Sequence, residues 1–189
     1  METINYNRLN LNSKSLNGRN VEIKARTSNL ALIRKQAEML ADSEPIMIEQ
    51  EDTFFPCPNG SLKLRRLSGK EGELIYYQRS ESTEPRESQY VRSPSQDTHS
   101  LCEVLSNGLG VRGVVRKRRT LFLVGQTRIH LDEVKNLGLF VEIEVVLSPQ
   151  QTVSEGTHIA EKIMEKLGIS RDDLVEKAYI DLLNLQRMR

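Results

Sequence analysis

Asn20-Val-Glu-Ile-Lys-Ala-Arg26 alternates without a break. Val21, Ile23 and Ala25 fall on one face of an extended strand, and Glu22, Lys24 and Arg26 fall on the other. The same construction returns along the chain. Lys63 and Arg65 stand opposite Leu62 and Leu64; Lys117 and Arg119 share a face; Arg128, His130 and Asp132 alternate with Ile129 and Leu131. Glu142 and Glu144 stand opposite Val141, Ile143 and Val145. One explanation is an antiparallel sheet with a packed face and a solvated, charged face. The segregation of these rows, basic on some strands and acidic on others, weakens it, because neighbouring like charges repel unless something compensates them. A closed barrel supplies the alternative: alternate residues of every strand point into its lumen, and helices cover the apolar outside.

The strand-like segments are 20–26, 46–55, 61–67, 73–79, 114–124, 127–134 and 139–147, separated by turn residues. Helical spacing predicts a helix from Ser28 as cap to about Ala41, one from Thr98 to Leu109 ending at Gly110, and two closing helices over 152–167 and 171–185. Ser170 is the expected N-cap of the last. Residues 80–97 contain almost no apolar side chain and read as a long loop with at most a short strand near Tyr90. Residues 1–18, rich in Asn, Ser and Lys, read as a flexible N-terminal arm, and 19–189 as a single domain.

Composition narrows the function. The chain has 189 residues with 27 basic and 26 acidic side chains, a formal net charge of +1, which removes the bulk electrostatic case for a nucleic-acid polymer as partner. No apolar run approaches the roughly 20 residues of a membrane helix. The N-terminus lacks the apolar core of a secretory signal, and Cys57 and Cys102 have no zinc-ligand spacing, so a cytoplasmic location is expected. No P-loop or dinucleotide-binding glycine pattern is present. A lumen of Lys and Arg would grip a polyanion, since guanidinium forks match phosphate oxygens. Carboxylates beside them imply an oxygen-ligated divalent cation, Mg²⁺ or Mn²⁺ and not zinc, between acids and phosphates.

Seven segments in order carry a family resemblance. They are Asn20-Val-Glu-Ile-Lys-Ala-Arg26, Gln50-Glu-Asp-Thr-Phe-Phe55, Leu62-Lys-Leu-Arg65, Glu73-Leu-Ile-Tyr-Tyr-Gln-Arg79, the 114–122 strand, His130-Leu-Asp-Glu-Val134 and the 137–145 strand. Together they resemble the CYTH proteins, the triphosphate tunnel metalloenzymes, and within them the class IV adenylyl cyclase-like branch. The likeness extends to the closing Ala178-Tyr-Ile-Asp-Leu-Leu183. It implies an α+β fold, an eight-stranded antiparallel barrel flanked by helices, whose tunnel binds a triphosphate-containing small molecule with Mg²⁺ or Mn²⁺. By the same resemblance Lys24, Lys63, Arg65, Arg79, Lys117 and Arg119 bind substrate, Lys24 and Arg119 act in catalysis, and Glu22, Asp132, Glu142 and Glu144 are metal-side acids. The chain would act as a monomer or homodimer, without membrane or nucleic acid.

Two departures stand out. Asn20 occupies the place of the first Glu in the family's Glu-x-Glu-x-Lys signature, removing one charge from the metal cluster. In the 73–79 strand Gln78 and Arg79 compete for the inward position, with Arg79 preferred. The motifs suit a cyclase converting ATP to cyclic AMP and pyrophosphate. They equally suit a triphosphatase acting on inorganic triphosphate, thiamine triphosphate or a nucleotide, and Asn20 adds a non-catalytic polyphosphate or nucleotide binding module. His130, His99 and His158 are read as structural, and Lys117 with Arg119, in place of Arg116 with Arg118, as the inward pair unless a bulge swaps them.

Overall fold

A computed structural model describes residues 17–67, 71–79, 82 and 84–188. Eight antiparallel strands, β1 (Asn17–Arg26), β2 (Ile46–Phe55), β3 (Ser61–Arg66), β4 (Gly72–Arg79), β5 (Arg86–Ser95), β6 (Gly113–Val124), β7 (Thr127–Val134) and β8 (Gly138–Val146), close into one barrel. Their order around it is β1-β5-β4-β3-β2-β6-β7-β8, with β8 returning to β1. Four helices accompany them: α1 (Leu30–Leu40), α2 (Thr98–Leu109), α3 (Val153–Lys166) and α4 (Tyr179–Arg187).

The alternation of β1 decides which side is which. Val21, Ile23 and Ala25 are buried outside the barrel with Ile129, Leu131, Val141, Ile143 and Val145, under Ile33 and Ala37 of α1 and Ala160, Ile163 and Met164 of α3. A second apolar cluster seats α4, where Tyr179, Ile180 and Leu183 pack on Phe54, Val115 and Phe140. The charged alternates are left to the lumen. Caps explain the helix starts: Asn29, one residue past the expected Ser28, accepts from Leu32 N–H, and Thr152 forms a reciprocal capping box with Glu155. No helix of the described residues is long and apolar enough to cross a membrane.

The structure corrects the sequence reading in two places. The loop expected over 80–97 contains a full strand, β5, which pairs with both β1 and β4 and closes the barrel. Its inward positions are Arg86, Ser88, Tyr90 and Arg92, without an aliphatic side chain, and its outward Gln89, Val91 and Ser93 are exposed, so no hydrophobic period marks it. The last expected helix, 171–185, is broken. Ser170 caps only a single 3₁₀ turn, Arg171–Asp173, and the chain then runs extended before α4. The cause lies in β1, whose pairing with β5 ends at Glu22 and leaves backbone groups unpaired beyond it. Leu174 bridges to Ala25, and Val175 N–H donates to the Lys24 carbonyl at 2.8 Å, filling that gap. Of the expected arm, 1–16 lie outside the described residues, while Asn17 and Gly18 belong to β1.

Candidate functional site in the barrel lumen

The lumen encloses about 130 Å³. Among the described residues eight cationic and four acidic side chains line it, a surplus of four positive charges. Lys24, Lys63, Arg65, Arg79, Lys117 and Arg119 converge there with Glu22, Glu142 and Glu144, as the sequence expects. Arg79 faces inward and pairs with Glu22 at 2.6 Å, whereas Gln78 is exposed and bonds the Asn59 carbonyl. Arg118 pairs outside the barrel with Glu49, and Arg116 with Glu51, so no bulge swaps the register of β6.

Two buried aspartates hold the basic rows. Asp132, with no exposed surface, accepts Arg119 Nε at 2.7 Å and Nη2 at 2.6 Å, Lys117 Nζ at 2.9 Å and the Tyr179 hydroxyl at 3.0 Å. Burial alone would raise its pKa, but Arg119 and Lys117 outweigh that and hold it at about 2. Asp132 does not line the cavity. Its oxygens are taken up by Arg119, Lys117 and Tyr179, and Arg119 Nη2 bridges it to Glu142, so Asp132 anchors the basic pair of β6 at the back of the acids on β8. Asp52 plays the same part for β3. It accepts Lys63 at 2.9 Å, Arg65 Nε at 3.1 Å and the Gln50 amide at 3.0 Å. Against the cost of burial, Arg65 and Lys63 hold its carboxyl far below the usual range. Asp52 of β2 thus sits between the basic pairs of β3 and β6, its two neighbours in the barrel.

The remaining acids lie on β1 and β8. Glu142 meets Lys24 at 3.4 Å and forms a short bond with Arg119. Glu22 and Glu144 are direct cross-strand partners. Glu144 also stands 3.3 Å from His130, a buried ring that burial and then Arg119 keep low in pKa. Lys24 sits 4.3 Å from the centre of the Tyr179 ring, and burial pushes its pKa down to about 8. No three Asp, Glu, His or Cys of the described residues lie close enough to cage a metal. One or two carboxylates completed by phosphate oxygens and water are nevertheless the usual protein share of a Mg²⁺ site. Glu22 and Glu144 match that, and the buried Asn20 Oδ1, two residues along the same face of β1 and without a hydrogen-bond partner, adds a third oxygen.

Sequence reasoning missed Asp52, Arg92 and Tyr179 as lining residues. Asp52 follows Glu51 and precedes Phe54 and Phe55, one on each face, so spacing alone does not turn it inward; Arg92 lies on the unrecognised β5.

A closed antiparallel barrel around anchored cations, with acids on facing strands, is a charged-tunnel architecture. The CYTH domain family model matches residues 18–179, and the chain belongs to the CYTH family. The PH1012 protein of Pyrococcus horikoshii is similar over 86% of this chain and 98% of its own, with a TM-score of 0.77 and 28% identity. A Vibrio parahaemolyticus protein described provisionally as an adenylate cyclase gives a TM-score of 0.71 over 88% of this chain and 98% of its own. At 20% identity that likeness is one of fold. The Methanocaldococcus jannaschii protein MJ0240, provisionally named an adenylate cyclase, is 32% identical over 74 residues. That match covers 38% of this chain and 41% of the relative's length.

Proposed function

We propose that this protein is a divalent-metal-dependent enzyme that takes a nucleoside triphosphate into the lumen, with class IV adenylyl cyclase-like chemistry: ATP to cyclic AMP and pyrophosphate. The observation that carries the reading is the lumen's surplus of four positive charges, with both basic rows set on buried aspartates. Preorganised cations are what phosphoryl chemistry needs most, because charge develops on phosphate oxygens and little covalent help is required. A wider depression of about 500 Å³ shares Tyr77, Arg79 and Ala178 with the lumen and includes Leu185 and Met188. This vestibule is lined mainly by polar and charged side chains, among them Arg112, Lys177 and Asn184, and its room for an organic group beside the lumen favours a nucleotide over inorganic triphosphate.

In this reading Lys63, Arg65, Lys117 and Arg119 hold the phosphate oxygens, and Lys24 and Arg119 face the charge that develops during reaction. Glu22 and Glu144, with the Asn20 amide oxygen, would hold Mg²⁺ or Mn²⁺. The ion, when bound, supplies charge neutralisation at the phosphates. The ribose 3′-hydroxyl attacks the α-phosphorus and pyrophosphate leaves. Asn20 in place of a carboxylate favours a second reading, a binding module that holds the same anion without turnover.

Incubating the protein with ATP, tripolyphosphate or thiamine triphosphate and either metal, then resolving products by chromatography, tests both. Cyclic AMP with pyrophosphate is the expected result. Orthophosphate together with the matching diphosphate (ADP, pyrophosphate or thiamine diphosphate), without cyclic AMP, would make the protein a triphosphatase, and binding without turnover a binding module. Failure of every triphosphate to bind overturns the reading.

A further inference from the structure

The lumen has two chambers. Beyond the main one lies a smaller cavity of about 60 Å³, and the two share four side chains only: Arg65, Arg92, Arg119 and Arg128. These guanidiniums, from β3, β5, β6 and β7, ring the passage between the chambers. They are not equivalent. Arg65 is held by Asp52, and Arg119 by Asp132 and Glu142. Among the described residues Arg92 and Arg128 donate no hydrogen bond. Each has a long ion pair, Arg92 to Glu73 at 3.6 Å and Arg128 to Glu144 at 3.8 Å, and Arg92 also lies 5.6 Å from the centre of the Tyr90 ring. Arg92 Nε is buried with no partner at all.

A guanidinium carries five N–H donors, and leaving them unmet away from water is costly. Two such groups facing one small chamber have the fork geometry that phosphate oxygens match. At roughly 30 Å³ per water the chamber has room for about two waters, which suits a single phosphoryl group and not a second nucleoside. Ile48, Leu67 and Leu121 add apolar side chains to its lining, beside Gln50, Glu73 and His130.

We propose that Arg92 and Arg128 form a distal phosphate subsite, so that the tunnel accepts a linear phosphate chain one unit longer than triphosphate. The inference rests on the triphosphate-binding reading above. Glu73, the carboxylate in the chamber, is the partner that Arg92 exchanges for the incoming phosphate.

Calorimetric titration of the whole protein with tripolyphosphate and tetrapolyphosphate tests it. Tetrapolyphosphate should bind at least about tenfold tighter than tripolyphosphate. Arg92→Gln and Arg128→Gln should each abolish most of that preference, weakening tetrapolyphosphate markedly more than tripolyphosphate. Arg92→Lys, which keeps charge and loses the fork, should fall between and covers the case of a glutamine variant that does not fold. Equal binding of the two anions to the unaltered protein overturns the subsite, as do variants that weaken both anions alike. If tripolyphosphate itself does not bind, the underlying reading of the lumen has failed instead.

Discussion

Asp52 shows at the scale of one residue what the alternation of charges could and could not convey. Lys63 and Arg65 were legible because Leu62 and Leu64 alternate with them. Asp52 was not, since Glu51 precedes it and either acid could face inward until the register of β2 is known. In the barrel Asp52 turns to the lumen, while Glu51 pairs outside with Arg66 and Arg116. Removing the charge from Asp52 leaves two half-buried cations without their partner, a change worth up to about 3–5 kcal/mol. Asp52→Asn should therefore lower stability by up to that amount at neutral pH in chemical denaturation. Because the folded carboxyl is held below its unfolded pKa, its contribution is complete above about pH 4 and is lost as pH falls through the folded value. The gap between wild type and Asp52→Asn should accordingly narrow below about pH 4. A gap that stays constant down to pH 2 would mean that the lost charge pair is not its source.

Elements with one apolar face were legible, and those without one were not. Seven strands and three helices have a hydrophobic period because they press on helices or on the barrel wall. β5 escaped because its inner face meets charged lumen and its outer face meets solvent. The final helix was misjudged because local propensity is silent about the unpaired edge of β1 that pulls Leu174 and Val175 straight. Contact between elements also explains Gly156 inside α3, a residue that normally costs a helix about 1 kcal/mol relative to Ala. A Cβ there would lie 2.6 Å from Leu147 Cδ2 and 2.8 Å from Val21 Cγ2, so glycine lets α3 approach the seam of β1 and β8. Gly156→Ala should destabilise by about 1–3 kcal/mol, overpacking outweighing the gain in propensity. A melting temperature raised by this substitution would show that Leu147 moves aside freely and that close approach is not why glycine stands there.

At the scale of the whole molecule the barrel places its two kinds of residue on opposite sides of one wall: apolar alternates under helices, charged alternates inside. Lining cations outnumber lining acids by four, and Asp132 and Glu73, which pair with lining cations without lining that cavity, offset part of this surplus. That surplus opposes folding, and an anion in the lumen would relieve it. Ligand binding and stability are then one quantity, since a ligand that binds only the folded state adds RT ln(1 + [L]/Kd). At a hundredfold excess over Kd this is about 2.7 kcal/mol, and for a chain of this size roughly 2–4 °C of melting temperature accompanies each kcal/mol. Saturating tripolyphosphate should therefore raise the melting temperature by roughly 5–10 °C. Adding Mn²⁺ should raise it further in the unaltered protein and much less in Glu144→Gln, which loses one of the two carboxylates proposed to hold the ion. Sulfate at matched ionic strength controls for general salt effects, because lumen charges are shielded from bulk ions far more than surface ones. A shift equal to that with sulfate would place the anion on the exterior and leave the lumen charges without a ligand.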